Sequence, residues 1–394
     1  MGVKMDFERR ERIYRTVMTV LFTAFITFIV TLYGTINFYI GDDIEPNKEL
    51  DRKIGVVRNY IDRLYFGEID EYTERRMIES AVKGFIEGIG DRYTEFLTAE
   101  EHEELMMSVR GDYVGIGIFM SQNREGYVVI LAPIDDSPAK EIGLMTGDII
   151  LRVDGDEVRG KDLTLVSRRI MGEDGTTVEL EILRDEETFT ETITRRQIII
   201  NSVRAEMLEN NIGHIQIMSF DGRSRAEFER HLAELRDRGM QSLIIDVRNN
   251  GGGMVDQVLE IADLMVPRDE VLMITENREG QMIRRATTDN ILDIDVVLLI
   301  NGRSASASEI LAGALKDNGV ATLIGETTYG KGLMQDIRPT REIGGALKIT
   351  IGEFKTPNGD PINEQGVSPH IEVESVRDSG MDEQLERAIE YLRR

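Results

Sequence analysis

The chain has 394 residues, more than one hydrophobic core usually contains, so two or three domains are expected. Its 72 acidic and 47 basic residues give a net charge of -25, which repels phosphate backbones, so we expect no nucleic-acid partner. The absence of cysteine excludes disulfide bonds, thiolate metal sites and a cysteine nucleophile. Any catalysis must therefore use hydroxyl, amine, carboxylate or imidazole groups.

The N-terminus contains a candidate membrane anchor. Residues 16–40 include no charged side chain, and about 25 helical residues can cross a hydrocarbon core of roughly 30 Å. The tail before them, residues 1–15, is rich in basic side chains: Lys4, Arg9, Arg10, Arg12 and Arg15. The positive-inside rule therefore predicts a cytoplasmic tail, one transmembrane helix, and the bulk of the chain on the extracytoplasmic side of the cell membrane. A cleaved signal peptide is the alternative.

A helical N-terminal arm is predicted over residues 41–107. Apolar residues recur there at helical spacing: Ile54, Val57, Ile61 and Leu64. A predicted turn over residues 88–97 interrupts the pattern, and Thr98 is a candidate N-cap for the helix that follows. The arm and the C-terminal helix are candidate surfaces for a homodimer.

A compact β-rich module is predicted over residues 108–196, where short apolar runs alternate with turn residues. The predicted strands are residues 114–120, 126–132, 148–153 and 177–183, and the predicted helical pieces are residues 137–141 and 163–170.

A layered α/β domain is predicted over residues 197–375, because β-branched apolar runs of the kind buried on both faces alternate there with helical patterns. The predicted strands are residues 212–217, 242–247, 296–300 and 321–324, and the predicted helices are residues 225–238, 254–265 and 306–316. A last amphipathic helix, residues 382–392, lies in the C-terminal segment 376–394.

The first stretch that could carry chemistry is residues 301–309, with the sequence NGRSASASE. It follows a predicted buried strand and opens a predicted helix. Ser306 would therefore lie where free N–H groups and the helix dipole favour a developing negative charge. The alternative is that these serines only cap the helix.

The second stretch, residues 327–335 (TTYGKGLMQ), places Lys331 between two glycines after another predicted strand. As a general base Lys331 must be neutral, so burial must lower its pKa from about 10.4 toward 7. Gln335 offers an amide that could orient the amine. A solvated turn is the alternative, and the phosphate-loop pattern is absent.

The third stretch, residues 243–253 (LIIDVRNNGGG), ends a predicted strand in three glycines. Consecutive glycines can expose backbone N–H groups as an oxyanion hole. The alternative is an ordinary glycine-rich turn.

The motifs SASASE at residues 304–309 and GKGLMQ at residues 330–335 resemble, in this order, those of the carboxyl-terminal processing, or tail-specific, serine peptidase family. The resemblance implies that Ser306 is the nucleophile, Lys331 the general base and Gln335 its positioning residue.

The same resemblance implies that the amides of Gly252 and Ala307 form the oxyanion hole, with Ser304 and Ser308 in supporting roles. The implied fold is α/β: a crotonase-like protease core with an inserted β-rich PDZ domain. The implied activity is hydrolysis of polypeptide substrates with exposed C-terminal tails through an acyl-enzyme, without cofactor or metal.

The PDZ assignment depends on Gly115, Ile116 and Gly117, which resemble a carboxylate-binding loop, and on residues 137–150, which resemble the region around the short PDZ helix. Two residues depart from the family. Met171 stands where many members carry a basic residue, which puts switching through that side chain in doubt. Gly251 stands where proline is usual, which could loosen that turn.

Two other functions stay open on the sequence alone: a catalytically silent PDZ-type binding or scaffold protein on the same fold, and a crotonase-type enzyme acting on acyl thioesters. A Ser-His-Asp mechanism is not favoured, because His102 and His231 lie on polar helical stretches and His214 lies in a predicted strand. No HExxH or clustered ligand spacing indicates a metal site.

Overall fold

The computed structural model describes residues 48–289, 292–340, 343–375 and 381–393. The chain divides into two compact units between Met77 and Ile78. The predicted basic tail and transmembrane segment lie outside the described residues. Among the helices that the structure does describe, none has both the length and the hydrophobicity needed to span a bilayer.

Two helices occupy the beginning of the predicted arm: α1 (Lys48–Leu64) and α2 (Glu71–Glu87). Helix α1 begins with acidic residues and ends with Arg63, as the helix dipole favours. None of its side chains is buried. Most of its apolar residues are more than half exposed, among them Val57 and Leu64.

The rest of the predicted arm forms β1 (Glu95–Leu97) and α3 (Ala99–Arg110). Thr98 caps α3 as predicted, in a reciprocal capping box with Glu101. The prediction of a turn over residues 88–97 is wrong at its end, because Glu95–Leu97 pair with a strand far along the chain. Pairing of this kind leaves little trace in three residues of sequence.

The β-rich module contains eight strands and two helices. They are β2 (Asp112–Gly115), β3 (Ile118–Gln122), β4 (Val128–Pro133), α4 (Pro138–Glu141), β5 (Ile149–Val153), β6 (Asp156–Glu157), α5 (Leu163–Ile170), β7 (Thr177–Arg184), β8 (Glu187–Thr194) and β9 (Arg196–Ile199). Strands β3-β4-β5-β7-β8 form one antiparallel sheet with β6 on β5, while β2 pairs with β9. The single strand predicted over residues 114–120 is divided at Gly117, which has a φ of 79°.

The remaining chain forms the layered core. Its elements are β10 (Val203–Met207), β11 (Ile212–Ile217), α6 (Ser224–Asp237), β12 (Ser242–Asp246), α7 (Val255–Asp263), β13 (Val271–Asn277), β14 (Gly280–Arg285), β15 (Asp295–Ile300), α8 (Ala307–Asp317), β16 (Thr322–Gly325), β17 (Leu333–Pro339), β18 (Ala346–Lys355), β19 (Ile371–Glu372) and α9 (Glu383–Leu392). The central sheet has the order β10-β11-β12-β15-β16-β19 and is parallel from β11 onward.

Helices cover both faces of this central sheet. Leu243 and Ile245 point to the face packed against α6, α7 and α8. Ile244, Val297 and Leu299 point to the other face, where α9 packs. Because neighbouring residues along these strands are all buried, the strands read as continuous apolar runs, and the layered α/β prediction is confirmed.

A second sheet was not predicted from the sequence. Strand β18 pairs with β17, β13 and β1, and β14 extends the sheet from β13, all in antiparallel directions. Its strands are largely half-exposed or exposed, so they lack the continuous apolar runs that mark the central sheet.

Candidate active site

The three candidate stretches meet at one edge of the central sheet. Strands β12, β15 and β16 are neighbours and parallel, so their carboxyl ends at Asp246, Ile300 and Gly325 lie side by side. Ligand sites in open α/β sheets lie at this edge. The loops that leave these strands carry the glycine-rich turn, Ser306 and Lys331.

Ser306 occupies a strained backbone conformation at the start of α8. Its φ is 56° and its ψ is -114°, a region that non-glycine residues avoid at a cost of about 1–3 kcal/mol. Its N–H donates to Glu309 Oε2 at 2.8 Å. Ser306 is therefore more than a relaxed helix cap, because surrounding contacts impose a conformation that a cap does not need.

Glu309 is the organising group of this site and is fully buried. Its Oε2 accepts the N–H groups of Ser306 and Lys331, both at 2.8 Å. Its Oε1 accepts the Gly330 N–H at 2.7 Å and the Thr328 hydroxyl at 2.6 Å. One carboxylate thus connects the loop of the candidate nucleophile to the loop of the candidate base.

Lys331 is half-buried, and its amine faces an aromatic ring. Lys331 Nζ lies 4.9 Å from the centroid of the Tyr93 ring. Within the described residues it forms no hydrogen bond with the Ser306 hydroxyl or with the Gln335 side chain. The predicted Ser–Lys contact is therefore not made in this conformation.

The surroundings of Lys331 favour its neutral form. Burial is the largest effect that lowers the pKa of Lys331 below its ordinary value, and repulsion by Lys348 and Arg92 adds to it. Attraction to Glu309 and Glu95 acts in the opposite direction but does not cancel the shift. The direction agrees with what a general base requires.

Gln335 lies on β17, where its Nε2 donates to the Leu333 carbonyl at 3.2 Å. The sequence predicted that the amide of Gln335 would orient Lys331, whereas in the structure this amide contacts the backbone two residues earlier.

The serines that flank Ser306 connect its loop to the glycine-rich turn. Ser304 Oγ donates to the Val247 carbonyl at 2.8 Å, and Ser308 Oγ donates to the Asn250 carbonyl at 2.9 Å.

The glycine-rich turn packs directly on Ser306. A Cβ on Gly252 would lie 2.8 Å from Ser306 Cβ and 3.0 Å from the Ala307 nitrogen, so only glycine fits there. The Gly252 N–H donates to Asn250 Oδ1 at 2.8 Å. The Ala307 N–H donates to no acceptor among the described residues.

A chain of polar groups connects this turn to the C-terminal helix. Arg248 contacts Asp246 at 2.7 Å and Asp382, the N-cap of α9, at 2.6 Å. His214 Nε2 lies 3.6 Å from Asp246, and His214 Nδ1 lies 3.1 Å from Glu206. Burial by itself raises the pKa of Asp246, but the nearby His214 ring and the hydrogen bonds from Arg248 outweigh it and lower the pKa.

The predicted carboxylate-binding loop joins β2 to β3. Ile116 is fully buried, and a Cβ on Gly117 would lie 2.3 Å from Ser137 Cβ. The N–H groups of Ile116 and Gly117 donate to no acceptor in the described ranges. The predicted third member, Gly115, ends β2.

A cavity of about 570 Å³ opens between β3 and α5, and Ser306 is not among the residues that line it. Its walls include Ile118 and Met120 from β3 and Leu163 from α5, together with Met171. Helix α3 contributes Met107 to the same cavity. These walls are apolar, and the carboxylates of Glu104, Asp112 and Asp221 also line the cavity.

Three residues of the candidate site were not assigned roles from the sequence: Glu309, Asn250 and Tyr93. Glu309 stands in the SASASE motif, and the position of a glutamate three residues after a helix-capping serine is a capping-box signal. Nothing in the local sequence indicates that Tyr93 would reach Lys331. Within the described ranges, no cluster of three or more His, Asp or Glu side chains could hold a metal ion.

Two family models match the chain. Residues 211–373 match the model for Peptidase family S41, and residues 114–194 match the model for a PDZ domain. The first range covers most of the layered core, including all three loops of the candidate site. The second covers most of the β-rich module.

Individual relatives agree with these models. The chain is 29% identical over 375 residues to a probable CtpA-like serine protease of Staphylococcus haemolyticus, covering 94% of this chain and 74% of that one. It is 29% identical over 357 residues to the carboxy-terminal processing protease CtpA of Bacillus subtilis, covering 90% and 76%. A solved photosystem II D1 C-terminal processing protease is similar at a TM-score of 0.50 and 28% identity, covering 86% and 90%.

The chain therefore belongs to peptidase family S41 and is a serine-type peptidase with a PDZ domain. Within that family its place is among the carboxy-terminal processing proteases, as the two relatives and the solved structure indicate. The family predicted from the SASASE and GKGLMQ motifs is confirmed.

Proposed function

We propose that the chain is a membrane-anchored serine endopeptidase in which Ser306 is the nucleophile and Lys331 the general base, and which captures exposed C-terminal tails through its PDZ domain. The observation that carries the proposal is the bridge made by Glu309, whose Oε2 accepts the N–H groups of both residues at 2.8 Å. This bridge holds the two loops at one edge of the sheet.

The residues can perform acyl transfer as follows. The neutral amine of Lys331 removes the hydroxyl proton of Ser306 while Oγ attacks the scissile carbonyl carbon. The oxyanion that forms accepts the free Ala307 N–H, and a donor of this kind is worth about 3–4 kcal/mol in the transition state. The lysine then gives its proton to the departing amine, which leaves an acyl-enzyme that water hydrolyses.

The amine must move for this chemistry, because in the described conformation it rests on the Tyr93 ring. A lysine side chain has four rotatable bonds, and catalytic hydrogen bonds often tighten only when substrate is bound. We therefore infer that substrate binding brings the Lys331 amine to the Ser306 hydroxyl.

Gln335 and Gly252 keep the roles that the family resemblance implies, as parts of this proposal. For Gln335 to orient the lysine, its side chain must leave the Leu333 carbonyl. For Gly252 to act as the second oxyanion donor, its N–H must be released from Asn250. The first change is a rotation of a side chain on β17, and the second is a rearrangement within the glycine-rich turn.

Substrate tails would bind in the groove between β3 and α5 as an added strand. The free N–H groups of Ile116 and Gly117, with Gly115 before them, would hold the terminal carboxylate. The apolar walls of the 570 Å³ cavity favour apolar residues at the end of the tail. The proposed limits are 108–196 for the PDZ domain and 197–375 for a crotonase-like core.

The decisive experiment measures cleavage of casein and of a peptide with an apolar C-terminal tail. Ser306→Ala and Lys331→Ala should each lower cleavage about a thousandfold or more, and both should abolish labelling by a serine-reactive probe. Lys161→Ala, at an exposed position, is the matched control. Parental cleavage by Ser306→Ala would overturn the proposal.

The same experiment tests the alternative of a silent scaffold protein. A parent chain that binds the tailed peptide but neither cleaves it nor reacts with the probe would establish that alternative. Acyl-thioester chemistry would instead survive in both variants.

Membrane attachment and localisation are tested in cells. We expect the full chain to sediment with membranes and to be cut by protease added from the extracytoplasmic side, whereas a chain that lacks residues 1–40 should be soluble. A cleaved N-terminus on the mature protein would support a signal peptide instead.

Light scattering tests the proposed homodimer, for which the exposed apolar residues of α1 are the candidate surface.

A further inference from the structure

The segment before α3 belongs to the peptidase core. Strand β1 pairs with β18 in antiparallel register, with Glu95 opposite Lys348. The Lys348 amine lies 2.8 Å from the Glu95 carboxylate. The Thr94 hydroxyl accepts the Thr350 N–H at 3.1 Å and donates to Asp91 at 2.6 Å. These contacts fix the loop that carries the residue between them, Tyr93.

The fixed loop places the Tyr93 ring against the Lys331 amine, 4.9 Å from ring centroid to Nζ. Arg92 contacts the same ring at 4.7 Å. The Tyr93 hydroxyl is buried and makes no hydrogen bond of normal geometry to a described residue, although Tyr329 is near it. The ring face, rather than the hydroxyl group, is therefore the part of Tyr93 that meets the lysine.

Within the described residues, the Tyr93 ring is the contact that the structure shows for the Lys331 amine. No carboxylate forms a salt bridge with Lys331 in the part of the chain that the structure describes. The charged groups that surround it are Lys348 on β18, Arg92 beside Tyr93, Glu309 on α8 and Glu95 on β1. Two of these are cations and two are anions, so their effects oppose one another.

We propose that Tyr93 is a positioning residue of the peptidase, whose ring face holds the Lys331 amine in a water-poor contact beside the nucleophile loop. The proposal assigns residues 91–97, which precede the PDZ domain in sequence, to the catalytic apparatus. It deepens the proposed function, since it depends on Lys331 being the general base.

The ring acts on the lysine in two opposite ways. It displaces water, which disfavours the ammonium form, and its negative face attracts a cation, which favours that form. Burial is the largest effect that lowers the pKa of Lys331, and the ring contributes to that burial. Substitutions that separate the two effects should therefore shift the titration of Lys331 in opposite directions.

The test uses three variants of the full chain. Tyr93→Phe keeps the ring and should titrate like the parent. Tyr93→Leu keeps an apolar group but removes the ring face, so the pKa of Lys331 should fall. Tyr93→Ala admits water, so the pKa should rise. The expected change in the ionisation equilibrium of Lys331 is roughly 3- to 30-fold in each direction.

The measurement is competitive acetylation of Lys331 across pH, read by mass spectrometry, with the exposed Lys161 of the same sample as internal standard. It needs no catalytic activity. The acid limb of the pH–rate profile for peptide cleavage should move with the acetylation curve. Thermal unfolding identifies any variant that does not fold, and Tyr93→Leu keeps the test valid if Tyr93→Ala does not.

Unchanged acetylation curves in both Tyr93→Leu and Tyr93→Ala would overturn the inference, and so would a shift in Tyr93→Phe as large as that in Tyr93→Ala. A parent chain that cleaves no peptide while Lys331 still responds to Tyr93 would refute the proposed function but leave this contact established. Cleavage with a pH profile that is independent of Tyr93 would leave the proposed function standing but refute the role of Tyr93.

Discussion

The bridge made by Glu309 gives the sharpest prediction, which is the effect of Glu309→Gln. All four partners of the carboxylate donate: three backbone N–H groups and the hydroxyl of Thr328. A glutamine has nearly the same shape but only one acceptor oxygen. Whichever way its amide turns, the NH₂ group faces two of the four donors.

The magnitude follows from the two donors that lose their acceptor. If the oxygen stays at the Oε1 position, the N–H groups of Ser306 and Lys331 are left unpaired beside Glu309. An orphaned buried donor costs about 1–3 kcal/mol, so the variant should lose about 2–6 kcal/mol, divided between stability and catalysis. We expect a lower melting temperature together with a fall in kcat/KM of a hundredfold or more.

The assay pairs thermal unfolding with cleavage of a tailed peptide. Glu260→Gln is the matched control, because this glutamate is exposed on α7 and should lose less than about 1 kcal/mol. Glu309→Asp retains the charge but is one methylene shorter, so it should also be impaired. Near-parental melting temperature and cleavage in Glu309→Gln would refute the reasoning that this carboxylate holds the two loops together.

Three further predictions concern the turn and its buried network. Gly252→Ala should lower both activity and stability, because the added Cβ brings about 1–3 kcal/mol of strain. The control Gly251→Ala should be near parental in both, because its Cβ would meet open space. Equal cleavage rates for the two variants would contradict the close approach of Gly252 to Ser306. Asn250→Ala should lower the free energy of unfolding by at least about 2 kcal/mol, because the partners of its side-chain nitrogen and oxygen both become unpaired. A melting temperature that falls by less than about 2 °C, which corresponds to about 1 kcal/mol or less, would contradict this prediction. Burial lowers the pKa of His214, but the nearby carboxylates of Asp246 and Glu206 outweigh it and raise the pKa above 6.5. The stabilising contribution of His214 is therefore complete at acid pH and is lost as pH rises through the folded value. His214→Gln should flatten that part of the curve of melting temperature against pH, and an unchanged curve would count against the pairing.

Much of the fold could be predicted from local patterns. Residues 212–217 and 163–170 were predicted with the bounds that β11 and α5 show, because apolar periodicity reflects which side chains are buried. The antiparallel sheet around β18 was missed. Its strands are half-exposed, and β1 joins it through pairs such as Glu95 and Lys348, which are 253 residues apart.

The sequence by itself determined which residues could react. The positions of Ser306 and Lys331 after buried strands made both residues candidates, since loops that follow parallel strands gather at one edge, and the resemblance of their motifs to a peptidase family assigned them the proposed roles of nucleophile and base. Only the tertiary structure decided how they are held. Glu309 receives four donors from two separate loops, and Tyr93 reaches Lys331 because the strand that follows it pairs with β18, far along the chain. Such contacts depend on distances in space that no local sequence pattern encodes, because they form only when the strands carrying them have aligned.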